Sequence, residues 1–205
     1  MSKLSRGRPT GISGQAPVLN SNQVNTVIRL ARTRARLADR SELALCFSLY
    51  LGLRAKEIAS IKWEDVFDEG GKPKLMLRLK SAYTKGAKTR DVYLSAPQVR
   101  KVLNNYGWLY HTRRSPDSAL FRSQKGGNMA PASMARYLKG LYREAGLANA
   151  SSHSGRRTFI TSLAERGIDL KAISVLAGHS NIRTTALYVD ANPERLSRIL
   201  SEVAW

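Results

Sequence analysis

Cysteine, histidine and acidic residues are all scarce in this 205-residue chain, and each shortage excludes something. A single cysteine, Cys46, permits no intramolecular disulfide, and its apolar neighbours point to a buried thiol. Three dispersed histidines and that one cysteine cannot build a zinc finger, so no metal is expected. Asp and Glu number 15 against 34 Lys and Arg, a formal net charge of +19. A field of that sign attracts polyanions and is otherwise self-repulsion, so the chain expects nucleic acid or an acidic membrane surface. The longest apolar run, Leu43 to Leu53, is too short to span a bilayer and is interrupted by Ser48 and Gly52. With no signal-peptide pattern at its start, a soluble, cytoplasmic protein without a membrane partner is expected. Hydrophobic residues make up 42% of the chain, enough for a core, which excludes global disorder.

Residues 1–18 are rich in Ser, Gly and Pro, with three basic residues and no acid, and read as a flexible basic tail. Within it Arg6-Gly7-Arg8-Pro9 resembles the core of an AT-hook, which lays two arginines in a narrow minor groove; a generic basic tail is the preferred reading. Ser21 is expected to cap a helix running to about Leu37. On it Arg29, Arg32 and Arg36, with Arg40 just beyond, share one face that is either solvated or turned to DNA. A second helix, 41–51, is apolar nearly all round and should be the core, with Gly52 ending it and a short helix restarting near Arg54 to Ile61.

Strand-like segments follow at 74–82 and 89–94, with Leu75, Leu77 and Leu79 alternating, and Lys85-Gly86-Ala87-Lys88 forms the hairpin tip between them. Beyond Ser95 helices are expected at 96–110, 131–146, 154–167, 169–177, 181–189 and 192–204, with a short strand or loop at 120–129. The fold is therefore mainly α with a small antiparallel β-sheet (α+β). It comprises one domain, 19–191, and a C-terminal helix, 192–205, carrying Leu196, Ile199, Leu200 and Val203 on one stripe.

The chemistry-bearing residues concentrate late in the chain: His153-Ser-Gly-Arg156, then Gly178-His179-Ser180, then Tyr188. Arg54 in Gly-Leu-Arg-Ala-Lys-Glu and Lys85 in Tyr-Thr-Lys-Gly-Ala-Lys stand earlier. Together they are the parts needed to cut a phosphodiester with a tyrosine. Attack by a phenol passes through a crowded, phosphorane-like state with extra negative charge on its non-bridging oxygens. Two guanidiniums, Arg54 and Arg156, can hold those oxygens with planar, permanently charged donor forks. A phenol with an ordinary pKa near ~10 needs such cations around it as the phenolate forms. A lysine on the hairpin tip, Lys85 or Lys88, can deliver a proton to the leaving oxygen. His153, spaced i, i+3 from Arg156, can accept a proton from the tyrosine or donate to phosphate, and Glu57 can orient basic side chains.

The pattern Gly52-Leu-Arg54-x-x-Glu57, Thr84-Lys85-Gly86, His153-x-x-Arg156, Gly178-His179-Ser180 and Thr184-Thr185-x-x-Tyr188 resembles the tyrosine recombinases, the phage integrases and their relatives, over about residues 20–192. The resemblance implies a catalytic set of Arg54, Lys85, His153, Arg156, His179 and Tyr188, with Lys85 chosen over Lys88 and His179 donating to the scissile phosphate. It implies a 3′-phosphotyrosyl intermediate, no cofactor, and double-stranded DNA carrying a specific recombination site as substrate. It also implies a tetramer on synapsed DNA, coupled through the C-terminal helix, nucleoid association when bound, and accessory DNA-bending proteins as compatible partners. Arg6, Arg8, Arg29, Arg32, Arg36, Lys88, Arg90 and Arg157 are the expected DNA contacts.

Two departures stand out. Gly155 and Arg157 occupy places where the family commonly has leucine and histidine, and Gly155 is expected to loosen the start of its helix. The N-terminal DNA-binding domain that most relatives carry is also expected to be missing. Alternatives from other classes are a type IB topoisomerase, which relaxes one duplex as a monomer, and a non-catalytic DNA-binding protein of the same fold.

Overall fold

The computed structural model describes residues 15–34, 37–84, 89–123, 126–188 and 201. The expected DNA contacts Arg6, Arg8, Arg36 and Lys88, the expected proton donor Lys85 and the C-terminal helix, apart from residue 201, lie outside those residues.

Helix α1, Ser21–Arg32, starts one residue earlier in its cap than the sequence reading proposed. Asn20 is the cap: its side chain accepts from the Gln23 backbone N–H while Gln23 reaches back, a reciprocal pair that satisfies two otherwise orphaned donors. The helix stops at Arg32, short of Leu37, so Arg40 does not continue its basic face. Arg40 belongs to α2, Ala38–Leu49, where its guanidinium lies 4.9 Å from the Tyr137 ring centroid. The apolar side of α1, Val27, Ile28 and Ala31, packs on α2.

Helix α2 is the centre of the molecule. Leu43, Ala44, Leu45, Cys46 and Phe47 are all buried, as expected of a segment apolar on every face. Burial pushes the Cys46 thiol up to about 12, so it is an inert packing group at neutral pH.

The chain then turns through Gly52 into α3, Ala55–Ser60, and a one-turn helix α4, Trp63–Val66, that the sequence reading did not separate from its surroundings. A short antiparallel pair follows, β1 Met76–Leu79 with β2 Arg90–Tyr93, in the register Leu77 opposite Val92 and Leu79 opposite Arg90. Leu77 and Leu79 are buried, but Leu75 breaks the alternation: it lies before β1 and is 74% exposed.

Helices α5, Pro97–Tyr110, and α6, Pro131–Glu144, each open on a proline, which suits a first-turn position because no N–H is required there. Segment 120–129 closes as a loop through an Arg122–Asn128 bridge. Helices α7, Ser154–Glu165, α8, Leu170–Ala177, and α9, Ile182–Ala186, complete the described chain.

Two clusters of buried apolar residues result. The larger joins α1 to α6 with the strands. The smaller, Ile160, Ala164, Ile173 and Ala177, lies between α7 and α8, and Phe159, Leu163 and Tyr188 pack against it. The expectation for Gly155 is corrected here. A Cβ at that position would collide with Ser48 Oγ and stand 2.7 Å from Tyr142 Oη. Glycine at the start of α7 is thus a packing requirement that lets the helix meet α2 and α6. It keeps the residue before Arg156 in close contact with the core.

Candidate active site

The site is assembled where the first turn of α3, strand β2, the first turn of α7 and the end of α8 converge. Gly52, at a left-handed φ of 62°, turns the chain out of α2, and Phe159 of α7 occupies the space a side chain would need there. This close approach brings the Gly52 carbonyl within 2.7 Å of Arg156 Nη1. Nη2 of the same guanidinium donates to the Ala177 carbonyl, also at 2.7 Å. Arg156 is 5% exposed, and these two fixed acceptors hold its plane while using only two of its N–H groups. Burial, with Arg54 close by, pulls it down to about 9, so it remains cationic at neutral pH.

Arg54 sits just before α3. Glu57, one turn later and with a side chain 1% exposed, accepts from Arg54 Nη1 at 2.9 Å through Oε1. Its other oxygen accepts from the Arg54 backbone N–H at 2.8 Å and from Arg90 Nη2 at 2.9 Å. Glu57 therefore holds both the Arg54 and the Arg90 guanidiniums.

Arg90 differs from its expectation as a DNA contact. Its side chain is only 11% exposed, Nη1 donates to the Leu176 carbonyl at 2.9 Å, and Nη2 is committed to Glu57. Burial lowers its pKa despite the opposing pull of Glu57. A C-terminal helix end carries partial negative charge and unpaired carbonyls. Arg90 and Arg156 satisfy two of them at the end of α8, and in doing so dock that helix onto α3 and β2. Gly178 makes this possible: a Cβ there would collide with Arg90 Cδ.

Three guanidiniums, Arg54, Arg90 and Arg156, therefore face one carboxylate, Glu57, and the cluster keeps an excess of positive charge. His179 sits in that field. Burial first, then Arg156, Arg54 and Arg90, lowers its pKa to about 4, so the imidazole is neutral at physiological pH. Its Nδ1 lies 2.8 Å from Thr185 Oγ1. The His179 and Tyr188 rings stack with centroids 6.1 Å apart and planes 19° from parallel.

Tyr188 is half-buried against the small α7–α8 cluster, and the Arg157 guanidinium lies 5.8 Å from its ring centroid. Arg157 also donates from Nη1 to the Ala16 carbonyl at 2.7 Å, so part of its donor capacity is used within the protein. Residue Ala16, within the segment read as tail, is thereby tied to α7, as is Leu19, whose N–H donates to Thr158 Oγ1 at 2.9 Å.

Of the expected catalytic residues, the structure brings Arg54, Arg156, His179 and Tyr188 into one neighbourhood. His153 is exposed immediately before α7, and its ring makes no hydrogen bond among the described residues. Arg29 is exposed on α1, and Arg32 pairs with Glu42 at 2.6 Å. Sequence reasoning missed the structural role of Arg90 and the contact of Thr185 with His179. The Thr184-Thr185 pair, four and three residues before the tyrosine, was visible, but nothing in it signals which hydroxyl turns inward.

A model of the phage integrase family matches residues 17–195, and the chain belongs to that family. Among its relatives, the tyrosine recombinase XerA of Pyrococcus furiosus is 30% identical over 182 residues, which cover 87% of this chain and 58% of that protein. The crystal structure of XerA recombinase superposes with a TM-score of 0.71 at 24% identity, over 97% of this chain and 68% of the other. That of XerH site-specific recombinase bound to palindromic difH substrate, a post-cleavage complex, gives 0.69 at 25% identity, over 93% and 54%. The chain thus spans less than two thirds of the curated relative's length.

Proposed function

We propose that this chain is the catalytic domain of a site-specific DNA recombinase, with Tyr188 as the nucleophile. The observation that carries the reading is the cluster of three guanidiniums around one carboxylate, set beside a neutral histidine that stacks on a half-buried tyrosine. The excess positive charge calls for an anion of phosphate's size and charge, and the tyrosine supplies an oxygen to attack it.

In this scheme Arg54 and Arg156 hold the non-bridging oxygens of the scissile phosphate, with charge fixed in place before the reaction begins. Tyr188 Oη bonds to phosphorus as the bond to the 5′-oxygen breaks, giving a 3′-phosphotyrosyl link and a free 5′-hydroxyl. The phosphodiester bond energy is kept in that link, so rejoining needs no nucleotide cofactor. Lys85 protonates the leaving oxygen, His153 serves as proton acceptor or phosphate donor, and His179 donates to the phosphate. Glu57 and Arg90 touch no substrate; they position Arg54 and the end of α8. The XerH complex is with its difH substrate, and the same class of partner, double-stranded DNA with a specific site, is proposed here. Four protomers on two synapsed sites, coupled through residues 192–205, complete the scheme.

The test uses a pool of nicked duplexes of randomised sequence, from which a cleaved short strand escapes and traps the adduct. Covalent protein–DNA adducts are expected with the wild type and not with Tyr188→Phe. Adducts with neither leave a DNA-binding protein without this chemistry, and adducts with both identify the wrong tyrosine.

A further inference from the structure

Thr185 is 0% exposed, and its hydroxyl has one side-chain hydrogen-bond partner among the described residues, the Nδ1 of His179 at 2.8 Å. A hydroxyl carries one proton of its own, and a neutral imidazole carries one proton on only one of its two nitrogens. Two arrangements satisfy the distance. Either His179 Nδ1–H donates to Oγ1, or the Thr185 O–H donates to an unprotonated Nδ1. The first leaves the threonine proton buried without an acceptor, and a buried unsatisfied donor is disfavoured. The second satisfies the hydroxyl and puts the imidazole proton on Nε2.

We propose that Thr185 is a positioning residue that fixes His179 as the Nε2–H tautomer and so turns that N–H outward as a phosphate donor. The proposal rests on the recombinase reading for what the N–H meets, but not for the tautomer itself. Three further observations fit it. The backbone of His179 is held independently, its N–H donating to the Ser174 carbonyl at 2.9 Å directly after the left-handed Gly178, so the ring torsions are what remain to be fixed. Thr185 lies in α9, whose first turn is held by Asn181 Oδ1 accepting from the Arg183 N–H at 2.9 Å, and Tyr188 N–H donates to the Thr185 carbonyl at 3.0 Å. One residue therefore sets both the histidine proton and the start of the turn that carries the nucleophile. Finally, the guanidiniums of Arg156, Arg54 and Arg90 oppose protonation of the ring, which keeps Nδ1 available as an acceptor.

The test reads the imidazole nitrogens directly. Protein labelled with ¹⁵N-histidine gives three pairs of ring signals, from His111, His153 and His179, and His179→Gln identifies the relevant pair. At pH 7 without DNA, His179 is expected as Nε2–H with Nδ1 unprotonated. Thr185→Ser should keep that pattern, and the near-isosteric Thr185→Val should give a mixture of tautomers. In single-turnover adduct formation on the nicked pool, Thr185→Val should be slower by about tenfold or more, with Thr185→Ser recovering most of the rate and DNA affinity unchanged in both. An Nδ1–H signal in the wild type would overturn the proposal without touching the recombinase reading. So would an unchanged tautomer in a folded Thr185→Val, or its loss in Thr185→Ser. An Nε2–H wild type that forms no adduct would overturn the recombinase reading and leave the tautomer assignment standing.

Discussion

Glu57 does at the residue scale what no basic residue of the site can do for itself: it lets Arg54 and Arg90 stand side by side. Its two oxygens receive three donors, and its side chain is shielded from water. Replacing it with glutamine keeps the shape and removes the charge. Arg90 would then be a buried cation with an amide in place of its carboxylate partner, and breaking such a pair costs about 3–5 kcal/mol. Glu57→Gln is expected to lower the unfolding free energy by that amount and to abolish adduct formation; an unfolding free energy within about 0.5 kcal/mol of wild type would contradict this.

His179 adds a pH dependence whose sign is fixed. Its folded pKa, about 4, lies below the ordinary value of 6.5. Between those values the unfolded chain binds a proton that the folded chain refuses, so its contribution is present above about pH 6.5 and is lost as pH falls to about 4. Wild-type stability should therefore fall more steeply over that window than that of His179→Gln, measured in paired denaturant titrations. Parallel slopes would mean that the histidine is not held neutral by its surroundings.

These residues stood out in the sequence through the resemblance of their motifs to the tyrosine recombinases, and the chemistry explains why such groups are needed. Their division of labour was not. Arg90 and Arg54 are equally basic in a sequence. Only the closing of α8 onto β2 buries Arg90 against Glu57 and the Leu176 carbonyl, while the Arg54 side chain stays 25% exposed.

At the scale of elements, the helices were readable wherever local rules act alone. Pro97 and Pro131 mark starts, Gly178 marks an end, and α2 declares itself by apolar residues on every face. Boundaries failed where a neighbour decides. Leu75 has the right parity for the core, yet it precedes the paired segment and is exposed. Gly155 looked like a weak helix start because glycine is costly in a helix interior. Its reason is the close approach of Ser48 and Tyr142, two contacts more than a hundred and about a dozen residues away in sequence. Gly155→Ala is expected to destabilise the protein, because overfilling a packed site costs about 1–3 kcal/mol against at most about 1 kcal/mol gained from better helix propensity. A thermal or denaturant scan showing stabilisation would remove the packing argument.

For the whole molecule, the net charge of +19 favours long-range attraction to a polyanion such as DNA, and in the proposed scheme the small cluster of fixed guanidiniums sets where a phosphate comes to rest. The two contributions separate by salt. Removing residues 2–14, which carry Lys3, Arg6 and Arg8, should weaken DNA binding and lower the slope of log affinity against log salt by up to about 3. An unchanged affinity at physiological salt would exclude the tail from the interface. The same truncation spares the contacts that tie Ala16 and Leu19 to α7, so the fold is expected to survive it.

If Tyr188 is the nucleophile, it becomes linked to DNA, and mapping the adduct shows whether it does. Adducts captured on the randomised nicked pool would be digested with protease and nuclease, and the nucleotide-bearing peptide sequenced by mass spectrometry. The expected product is a nucleotide joined through its 3′-phosphate to Tyr188, with a free 5′-hydroxyl on the released strand. A link at any other residue, or through a 5′-phosphate, would contradict it.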